Sequence, residues 1–303
     1  MYKSNDGGNN WNNISLKDSL GNVDQKFRSI SRMVIDPNDD DILTIATWAG
    51  SSFANDNAAG FIYRTEDGGN TWNEIYQAGP QERITQLVSS PKDSKILYAS
   101  VSQVGVLKST DGGKSWKKIL YVNEKTGIGD MVMDPINPDK LIANMWEFRR
   151  WPWYFESGGP NSGMYITFNG GNDWKKITEK DGLPKGDLGR MGIAIARSNP
   201  KIVYALIESK KNGLYKSTDG GFKWKLVSTK NIGNRPFYYA EIYVDPVNEN
   251  RIYNLHTYVT VSNDGGKTFQ SLMTAYGANG VHPDHHAFWG HPTNPNFITA
   301  HWK

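Results

Sequence analysis

A short motif that recurs along the whole chain constrains its fold more than any other feature. It reads K-S-T-D-G-G-K-S-W at residues 108–116, and its copies combine a hydroxyl residue, Asp or Asn, two glycines and an aromatic ring. The first glycines of the copies are Gly7, Gly68, Gly112, Gly170, Gly220 and Gly265. A motif of this length that recurs so often indicates a repeat architecture.

The chemistry of the motif is that of a tight turn between two strands. Its Asp can accept hydrogen bonds from nearby backbone, its glycines adopt positive φ at little steric cost, and its ring has a large surface to bury. The Asp position is held by Asp6, Asp67, Asp111, Asn169, Asp219 and Asp264. Asn169 keeps an acceptor but drops the charge, which favours hydrogen bonding over metal binding. We therefore expect these six residues to be structural.

A second recurring unit lies between the copies of the motif. It consists of an apolar strand, a turn containing Pro with Asp or Asn, and another apolar strand, as in M-V-I-D-P-N-D-D-D-I-L-T-I-A at residues 33–46. Each repeat thus supplies four strands, A to D, with the Pro turn joining A to B and the Gly-Gly motif joining C to D. Four antiparallel strands repeated about every 40 to 60 residues predict an all-β chain built as a β-propeller of four-stranded antiparallel blades.

The order of these units predicts how the ring closes. The chain opens with a C–D hairpin, continues through five whole blades and ends with an A–B pair, so pairing of the two ends gives six blades. The alternative is an arc of a seven- or eight-bladed ring. In either case we expect residues 1–303 to form a single propeller domain.

The motif resembles the Asp-box, or BNR repeat, of sialidases, xyloglucanase-type glycosidases and sortilin-type receptor domains, which are all β-propellers. Further stretches resemble large bacterial BNR proteins described as glycosyl-hydrolase-like or sortilin-like, namely M-W-E-F-R-R-W-P-W, G-L-P-K-G-D-L-G-R and H-P-D-H-H-A-F-W. This resemblance implies a secreted protein, placed outside the cell, on its surface or in the periplasm. It also implies further blades and propeller domains of the same parent protein, of which this chain would be a fragment.

Charge and composition exclude several classes of partner. Lys plus Arg number 34 against 31 for Asp plus Glu, and the charges are interspersed, which disfavours nucleic acid as a partner. The chain has no apolar run long enough to insert into a membrane. With 0 Cys it can form neither disulfides nor thiol-based sites. Met1 is followed by Tyr2-Lys3-Ser4 rather than by a signal peptide, so we expect a mature, trimmed or partial chain.

Long insertions all fall in the B–C and D–A connections, which share one rim of a propeller. They occupy residues 48–60, 147–163, 179–188, 229–238 and 273–284. The A–B turns and Asp-boxes are short and uniform by comparison. Because long loops on a rigid scaffold commonly carry recognition, this loop-rich rim is the candidate functional face.

Polar residues recur at one position of strand A, the innermost strand of a blade. Counting back four from the turn Asp or its equivalent gives Arg32, Gln86, Asp130, Gly192, Glu241 and His286. We expect this ring near the mouth of the central channel on the loop-rich rim. Its members either form a site or close the channel through mutual ion pairs, for instance Arg32 with Asp130 or Glu241.

The insertion at residues 146–156 is the densest aromatic segment of the chain. Flat rings interleaved with Arg and Glu suit sugar faces and hydroxyls, and they also suit a protein hot spot. The alternative is a loop that packs its rings on the neighbouring blade. The predicted ligand-binding residues are Arg32, Trp146, Arg149, Arg150, Trp151, Trp153, Tyr154, Arg190, Arg235 and Tyr238. The expected ligand is a glycan or a protein.

An enzymatic function is the first alternative to recognition. A glycosidase needs two carboxylates about 5 to 10 Å apart, and Asp130 and Glu241 are the candidates. However, the N-terminal arginine motif of sialidases and the aspartate-bearing opening segment of xyloglucanase-type enzymes are missing. We therefore favour a recognition propeller, with a sialidase-like or xyloglucanase-like hydrolase as the alternative and a structural component of a surface assembly as the second alternative.

The His-rich C-terminal segment is a candidate metal site. In H-P-D-H-H, an extended backbone places His282, Asp284 and His286 on one side, where they could hold a divalent ion. A hydrogen-bonded cluster that fixes the last A strand explains the same residues equally well. No other cofactor is expected.

Overall fold

Antiparallel sheets, most of them of four short strands joined in sequence order, make up the described part of the protein. The computed structural model describes residues 1–27, 29–49, 58–238, 240–272, 285–294 and 298–302. The chain divides into two compact units, which are Met1–Glu124 and Lys125–Lys303. That residues 1–303 form a single domain stays a prediction.

The first unit contains one two-stranded and two four-stranded sheets. Its strands are β1 (Tyr2–Lys3), β2 (Asn12–Asn13), β3 (Ile30–Ile35), β4 (Leu43–Ala49), β5 (Ala59–Thr65), β6 (Asn73–Gln77), β7 (Ile84–Ser89), β8 (Leu97–Val101), β9 (Gly105–Ser109) and β10 (Lys117–Leu120). The sheets are β1-β2, β3-β4-β5-β6 and β7-β8-β9-β10. A short 3₁₀ helix, Gln25–Phe27, precedes β3.

The second unit repeats the same plan. Its strands are β11 (Thr126–Met133), β12 (Leu141–Trp151), β13 (Tyr154–Ser157), β14 (Gly163–Thr167), β15 (Lys175–Ile177), β16 (Met191–Ile195), β17 (Val203–Ile207), β18 (Gly213–Ser217), β19 (Lys225–Ser228), β20 (Ile242–Val244), β21 (Ile252–Leu255), β22 (Val259–Ser262), β23 (Gln270–Ser271), β24 (His285–Gly290) and β25 (Ile298–Trp302). The sheets are β11-β12-β14-β15, β16-β17-β18-β19, β20-β21-β22-β23 and β24-β25. A 3₁₀ helix, Glu179–Asp181, follows β15.

Burial within each sheet follows the strand order. The second strands β8 and β17 are buried along their whole length, because both of their faces are covered and their sequences are apolar. The outermost strands are more exposed, as Lys117 and Lys118 of β10 illustrate. Apolar side chains from neighbouring sheets pack together, so that Ile166, Met191 and Trp224 belong to one buried cluster. The all-β fold of four-stranded antiparallel blades is therefore confirmed.

The Asp-boxes are turns, as the sequence predicts. In the second copy, Asp67 Oδ1 accepts hydrogen bonds from Thr65 Oγ1 at 2.7 Å and from the backbone nitrogen of Thr71 at 2.9 Å. Gly68 and Gly69 have φ of 71° and 94°, which only glycine adopts without strain. These bonds, led by that from the Thr71 hydroxyl, lower the pKa of the Asp67 carboxyl to about 2.

The Asn-containing copy keeps the same geometry. Asn169 Oδ1 accepts from Thr167 Oγ1 at 2.9 Å and from the backbone nitrogen of Asp173 at 3.0 Å. Its Nδ2 donates to Asp173 Oδ2 at 2.9 Å, a bond that an Asp at this position does not make. The substitution therefore preserves the turn through hydrogen bonding alone.

Candidate functional site

A β-hairpin extends from the B–C end of the sheet that begins with β11. Strand β12 first pairs with β11 and β14, and its last four residues then pair with β13 in the register Phe148 with Ser157 to Trp151 with Tyr154. Pro152 and Trp153 form the tip. The predicted insertion is thus an ordered extension of strand B rather than an irregular loop, because its alternating aromatic and polar residues suit a two-faced strand pair.

A row of aromatic rings supports the base of the hairpin. The ring of Phe148 lies 4.4 Å from that of Trp146 and 5.9 Å from that of Phe155. Phe155 in turn meets Phe237, edge to face, with 4.8 Å between centroids. The last contact joins the hairpin to the segment between β19 and β20. Contacts of this geometry stabilise beyond simple area burial, so the hairpin has a fixed position in this unit.

Hydrogen bonds continue this support on the polar side. Trp146 Nε1 donates to Ser157 Oγ at 3.0 Å, and Ser157 Oγ donates to Glu208 Oε2 at 2.6 Å. The same carboxylate oxygen accepts from the backbone nitrogen of Arg190 at 2.9 Å. Glu208 therefore connects the hairpin to the start of the next blade.

Arg190 lies at the centre of the predicted site residues of this unit. Its Nη2 pairs with Glu241 Oε1 at 3.0 Å, and its Nη1 donates to the carbonyl of Tyr238 at 2.9 Å. The guanidinium also lies 5.8 Å from the ring centroid of Trp146. The side chains of Arg190 and Glu241 are only 18% and 19% exposed. Both charged groups are thus committed to each other.

Asp130, the second predicted catalytic carboxylate, is bonded to backbone. Its Oδ1 accepts from the nitrogen of Met131 and its Oδ2 from the nitrogen of Ile193, each at 2.8 Å. The second bond joins the A strands β11 and β16. Gly192 occupies the equivalent ring position in β16, and a Cβ there would lie 1.4 Å from the carbonyl oxygen of Ala240. At this level the A strands approach too closely for a side chain at Gly192.

Arg32 lies in strand β3 of the first unit. Its Nε donates to Gln86 Oε1 at 2.8 Å, and its Nη1 donates to the carbonyl of Ser31. Two members of the predicted polar ring are therefore hydrogen-bonded to each other across neighbouring A strands, β3 and β7.

Two clefts flank the tip of the hairpin. The first, of about 460 Å³, is lined by Arg150, Trp151, Pro152, Trp153, Tyr154, Phe155, Arg235, Phe237 and Tyr238. The second, of about 340 Å³, is lined by Lys125, Arg149, Trp151, Trp153, Tyr154 and Glu156. Both volumes fall at the lower end of the range of about 300 to 1,000 Å³ typical of small-ligand sites. Trp153, which is 81% exposed, lines both.

The predicted ligand-binding residues of the second unit thus divide into three groups. Arg150, Trp151, Trp153, Tyr154, Arg235 and Tyr238 come together around the first cleft. Trp146 and Arg190 lie behind it and support the hairpin. Arg149 faces the second cleft, where its Nη1 donates to the carbonyls of Lys125 and Phe148.

The predicted metal site falls largely outside the described residues. His282 and Asp284 precede β24, and His286 lies in β24 with its side chain beyond what the structure describes. Within the described ranges, the one group of side chains close enough to share an ion is Asp39, Asp40 and Asp41, all exposed. The metal prediction stays untested.

Sequence reasoning missed several residues that shape the site. Glu208, Ser157 and Phe237 hold the hairpin, yet no motif marks them. Glu147 is 92% buried, because its carboxylate accepts bonds from the backbone nitrogen and side-chain amide of Asn161. A signal for Glu147 was available, since it adjoins the apolar run of β12 and a buried charged residue is almost always paired.

The insertion at residues 179–188 is held to the second unit at several positions. Leu183 and Leu188 are buried in the core of the second unit. Asp181 caps the 3₁₀ helix and pairs with Lys223 at 2.9 Å. The buried side chains hold this connection to its sheet, while six of its residues remain exposed: Glu179, Lys180, Gly182, Lys185, Gly186 and Asp187.

Comparisons with known proteins agree with this fold. A family model described as Sortilin, neurotensin receptor 3, matches residues 60–184, which is less than half of the chain. No curated protein sequence gives a match. The protein is a β-propeller of the BNR, or Asp-box, type.

Solved propellers share this architecture at low sequence identity. A GH74 enzyme from Niastella koreensis has a TM-score of 0.57 at 19% identity, over 81% of this chain and 38% of the enzyme. The GH74 xyloglucanase from Xanthomonas campestris has a TM-score of 0.57 at 14% identity, over 80% and 46%. YCF48 from Cyanidioschyzon merolae has 0.53 at 13%, over 87% and 89%. This chain spans less than half the length of the two GH74 enzymes, and these likenesses concern the fold alone.

Proposed function

We propose that this protein is a recognition propeller that binds a glycan through the hairpin of β12 and β13. The observation that carries the proposal is Trp153, an indole 81% exposed at the tip of an ordered hairpin between two clefts. Trp151 and Tyr154, about half exposed, lie beside it. Flat apolar rings with polar groups at their edges suit the faces and hydroxyls of a sugar. A protein ligand would use the same rings as a hot spot.

Rigidity of the hairpin supports this function. Phe155 and Phe237 join it to the following segment, and Ser157 and Glu208 join it to the next blade. Binding residues that are already fixed lose little conformational entropy when a ligand arrives. A glycan, which is itself flexible, benefits most from such a platform. We place this activity outside the cell, on its surface or in the periplasm; no helix among the described residues is long and apolar enough to cross a bilayer.

The test is binding to a panel of soluble polysaccharides in affinity gels and by calorimetry. Trp153→Ala and Trp151→Ala should each weaken binding by about tenfold, since ring stacking contributes roughly 0.5 to 1.5 kcal/mol beyond the apolar area that it buries. Trp11→Ala is the matched control, because Trp11 is 60% exposed and belongs to an Asp-box of the other unit. Unaltered binding by Trp153→Ala, or binding to no polysaccharide, would overturn the proposal.

Hydrolysis of a glycan is the second candidate, supported by the likeness to GH74 enzymes and by two carboxylates at the predicted channel mouth. Glu241 is paired with Arg190, and Asp130 accepts two backbone hydrogen bonds. Carboxylates held in this way favour a structural role over proton transfer in catalysis. Release of sugar from xyloglucan that is lost in Glu241→Gln would establish the enzyme. Binding without release favours the recognition propeller.

A further inference from the structure

One of the two clefts at the hairpin carries an uncompensated positive charge. This cleft, here called the Arg235 cleft, contains the guanidiniums of Arg150 and Arg235 beside the rings of Trp153, Phe237 and Tyr238. Among the residues that the structure describes, no carboxylate lines it. The inference drawn from it rests on the proposed glycan binding and narrows the class of glycan.

Neither arginine is neutralised by the protein in the part of the chain that the structure describes. Arg150 makes no ion pair or hydrogen bond there. Arg235 lies 5.7 Å and 5.1 Å from the ring centroids of Phe237 and Tyr238, with no acidic partner among the described residues. Stacking on the rings orients its guanidinium and leaves its N–H groups available to a ligand.

The opposite face of the hairpin carries a carboxylate, and its arginine is already hydrogen-bonded to the protein. Arg149 Nη1 donates to the carbonyls of Lys125 and Phe148, at 3.0 Å and 2.7 Å. Glu156 brings a negative charge to that face and accepts a hydrogen bond from Tyr154, which raises the pKa of the tyrosine. Strand alternation explains the division, because Arg150 and Phe155 point to one face while Arg149 and Glu156 point to the other. Uncompensated positive charge is therefore a property of one cleft.

We propose that the Arg235 cleft binds a sugar that carries a carboxylate, such as a uronic acid unit of an acidic polysaccharide. A guanidinium presents paired N–H donors that match the two oxygens of a carboxylate. Trp153, at the tip between the two faces, offers a flat surface for the ring of the same sugar. A neutral sugar would leave both arginines without an anionic partner.

The experiment compares polygalacturonate oligomers with the same oligomers after methyl esterification, which removes the charge and keeps the backbone. We expect the acid form to bind at least about tenfold more tightly, and the difference to shrink as salt is raised. Arg150→Gln and Arg235→Gln should each remove most of this preference. Arg235→Lys, which keeps the charge but lacks the paired donors, should retain part of it. Arg197→Gln, an exposed arginine in an A–B turn, should change nothing.

Each outcome separates this inference from the proposed function. If the acid and the ester bind with equal affinity and Trp153→Ala still abolishes binding, the proposed preference for a charged sugar is overturned, while the proposed glycan binding stands. If neither form of the oligomer nor any neutral polysaccharide binds, both proposals are overturned. If dextran sulfate binds as tightly as polygalacturonate, the cleft attracts polyanions in general, and the proposal of specific carboxylate binding is overturned. Thermal unfolding of every variant checks that a loss of binding does not come from a loss of fold.

Discussion

At the residue scale, close approach between A strands decides which positions of the polar ring carry side chains. Asp130 accepts the backbone N–H of Ile193, and Arg32 bonds to Gln86, so each reaches across to a neighbouring A strand. Gly192 has no room for even a methyl group, because the carbonyl of Ala240 occupies that position. These positions therefore contribute to contacts between neighbouring blades.

We predict that Gly192→Ala strongly destabilises the protein. The added Cβ would lie 1.4 Å from the Ala240 carbonyl oxygen, so β16 and β20 would have to separate, at a cost of about 3 kcal/mol or more. Gly290→Ala is the control, since its Cβ would meet Phe288 at an ordinary 3.7 Å. Urea unfolding measures both free energies. A similar small change in the two variants would contradict the close approach.

Sequence reasoning located these ring positions but not their partners. The spacing from the turn Asp identified Arg32, Asp130 and Glu241, because each of them stands four residues before the turn Asp of its own blade. It could not show that Glu241 pairs with Arg190, since Arg190 belongs to a different connection whose path depends on packing. Ion pairs between distant segments leave no periodic signal in one sequence.

At the element scale, the Asp-box is a turn whose stability depends on pH. In the third copy, the hydroxyl and backbone nitrogen of Ser115 donate to Asp111 and lower the pKa of its carboxyl from 3.8 to about 2. Because the folded pKa lies below the unfolded one, the stabilisation is fully present above about pH 4 and is lost as pH falls through about 2. The other lowered carboxyls act in the same direction: Asp6, Asp67, Asp219 and Asp264.

We predict that Asp111→Asn folds and has a shallower loss of stability between pH 4 and pH 2 than the unaltered protein. Asparagine keeps the acceptor oxygen, as Asn169 does naturally, but has no proton to gain. Urea midpoints at pH 5 and pH 2.5 measure the slope. Asp40→Asn is the control, because the Asp40 carboxylate accepts no hydrogen bond within the described ranges. Identical slopes in all three proteins would contradict the prediction.

The hairpin shows where reasoning about elements succeeds and where it stops. The density of rings at residues 146–156 identified the segment, and its residues do line two clefts. The prediction of a long connection did not foresee that β12 continues into a paired β13. A hairpin projecting from a blade depends on contacts such as Phe155 with Phe237, which join segments more than 80 residues apart and have no local signature.

At the scale of the whole molecule, the repeat of four strands extends through both compact units. The fold class follows from the sequence because every blade repeats the same turn signals and apolar runs. Blade number and closure do not follow, since they depend on how the two ends of the chain pair and on residues outside those that the structure describes. A single domain over residues 1–303 therefore remains a prediction.

We predict that the chain unfolds in one calorimetric transition. A blade cannot bury both of its faces alone, so neighbouring blades should stabilise one another along the repeat. Gly192→Ala, although it lies in the second unit, should then shift the whole transition. Two separate transitions, with a protease-resistant fragment ending near Glu124, would show instead that Met1–Glu124 and Lys125–Lys303 fold independently.

The Asp-box also bears on how such a chain arises. Its acidic or amide side chain finds hydrogen-bond partners from two residues before to four residues after itself, as Asp67 and Asn169 both do. The turn itself supplies the hydrogen-bond partners of this side chain. When the turn is duplicated with its blade and inserted elsewhere, this side chain therefore requires no change in the neighbouring blades. Gene duplication can therefore lengthen or shorten the array blade by blade, while the hairpin diverges freely at the other end of its sheet.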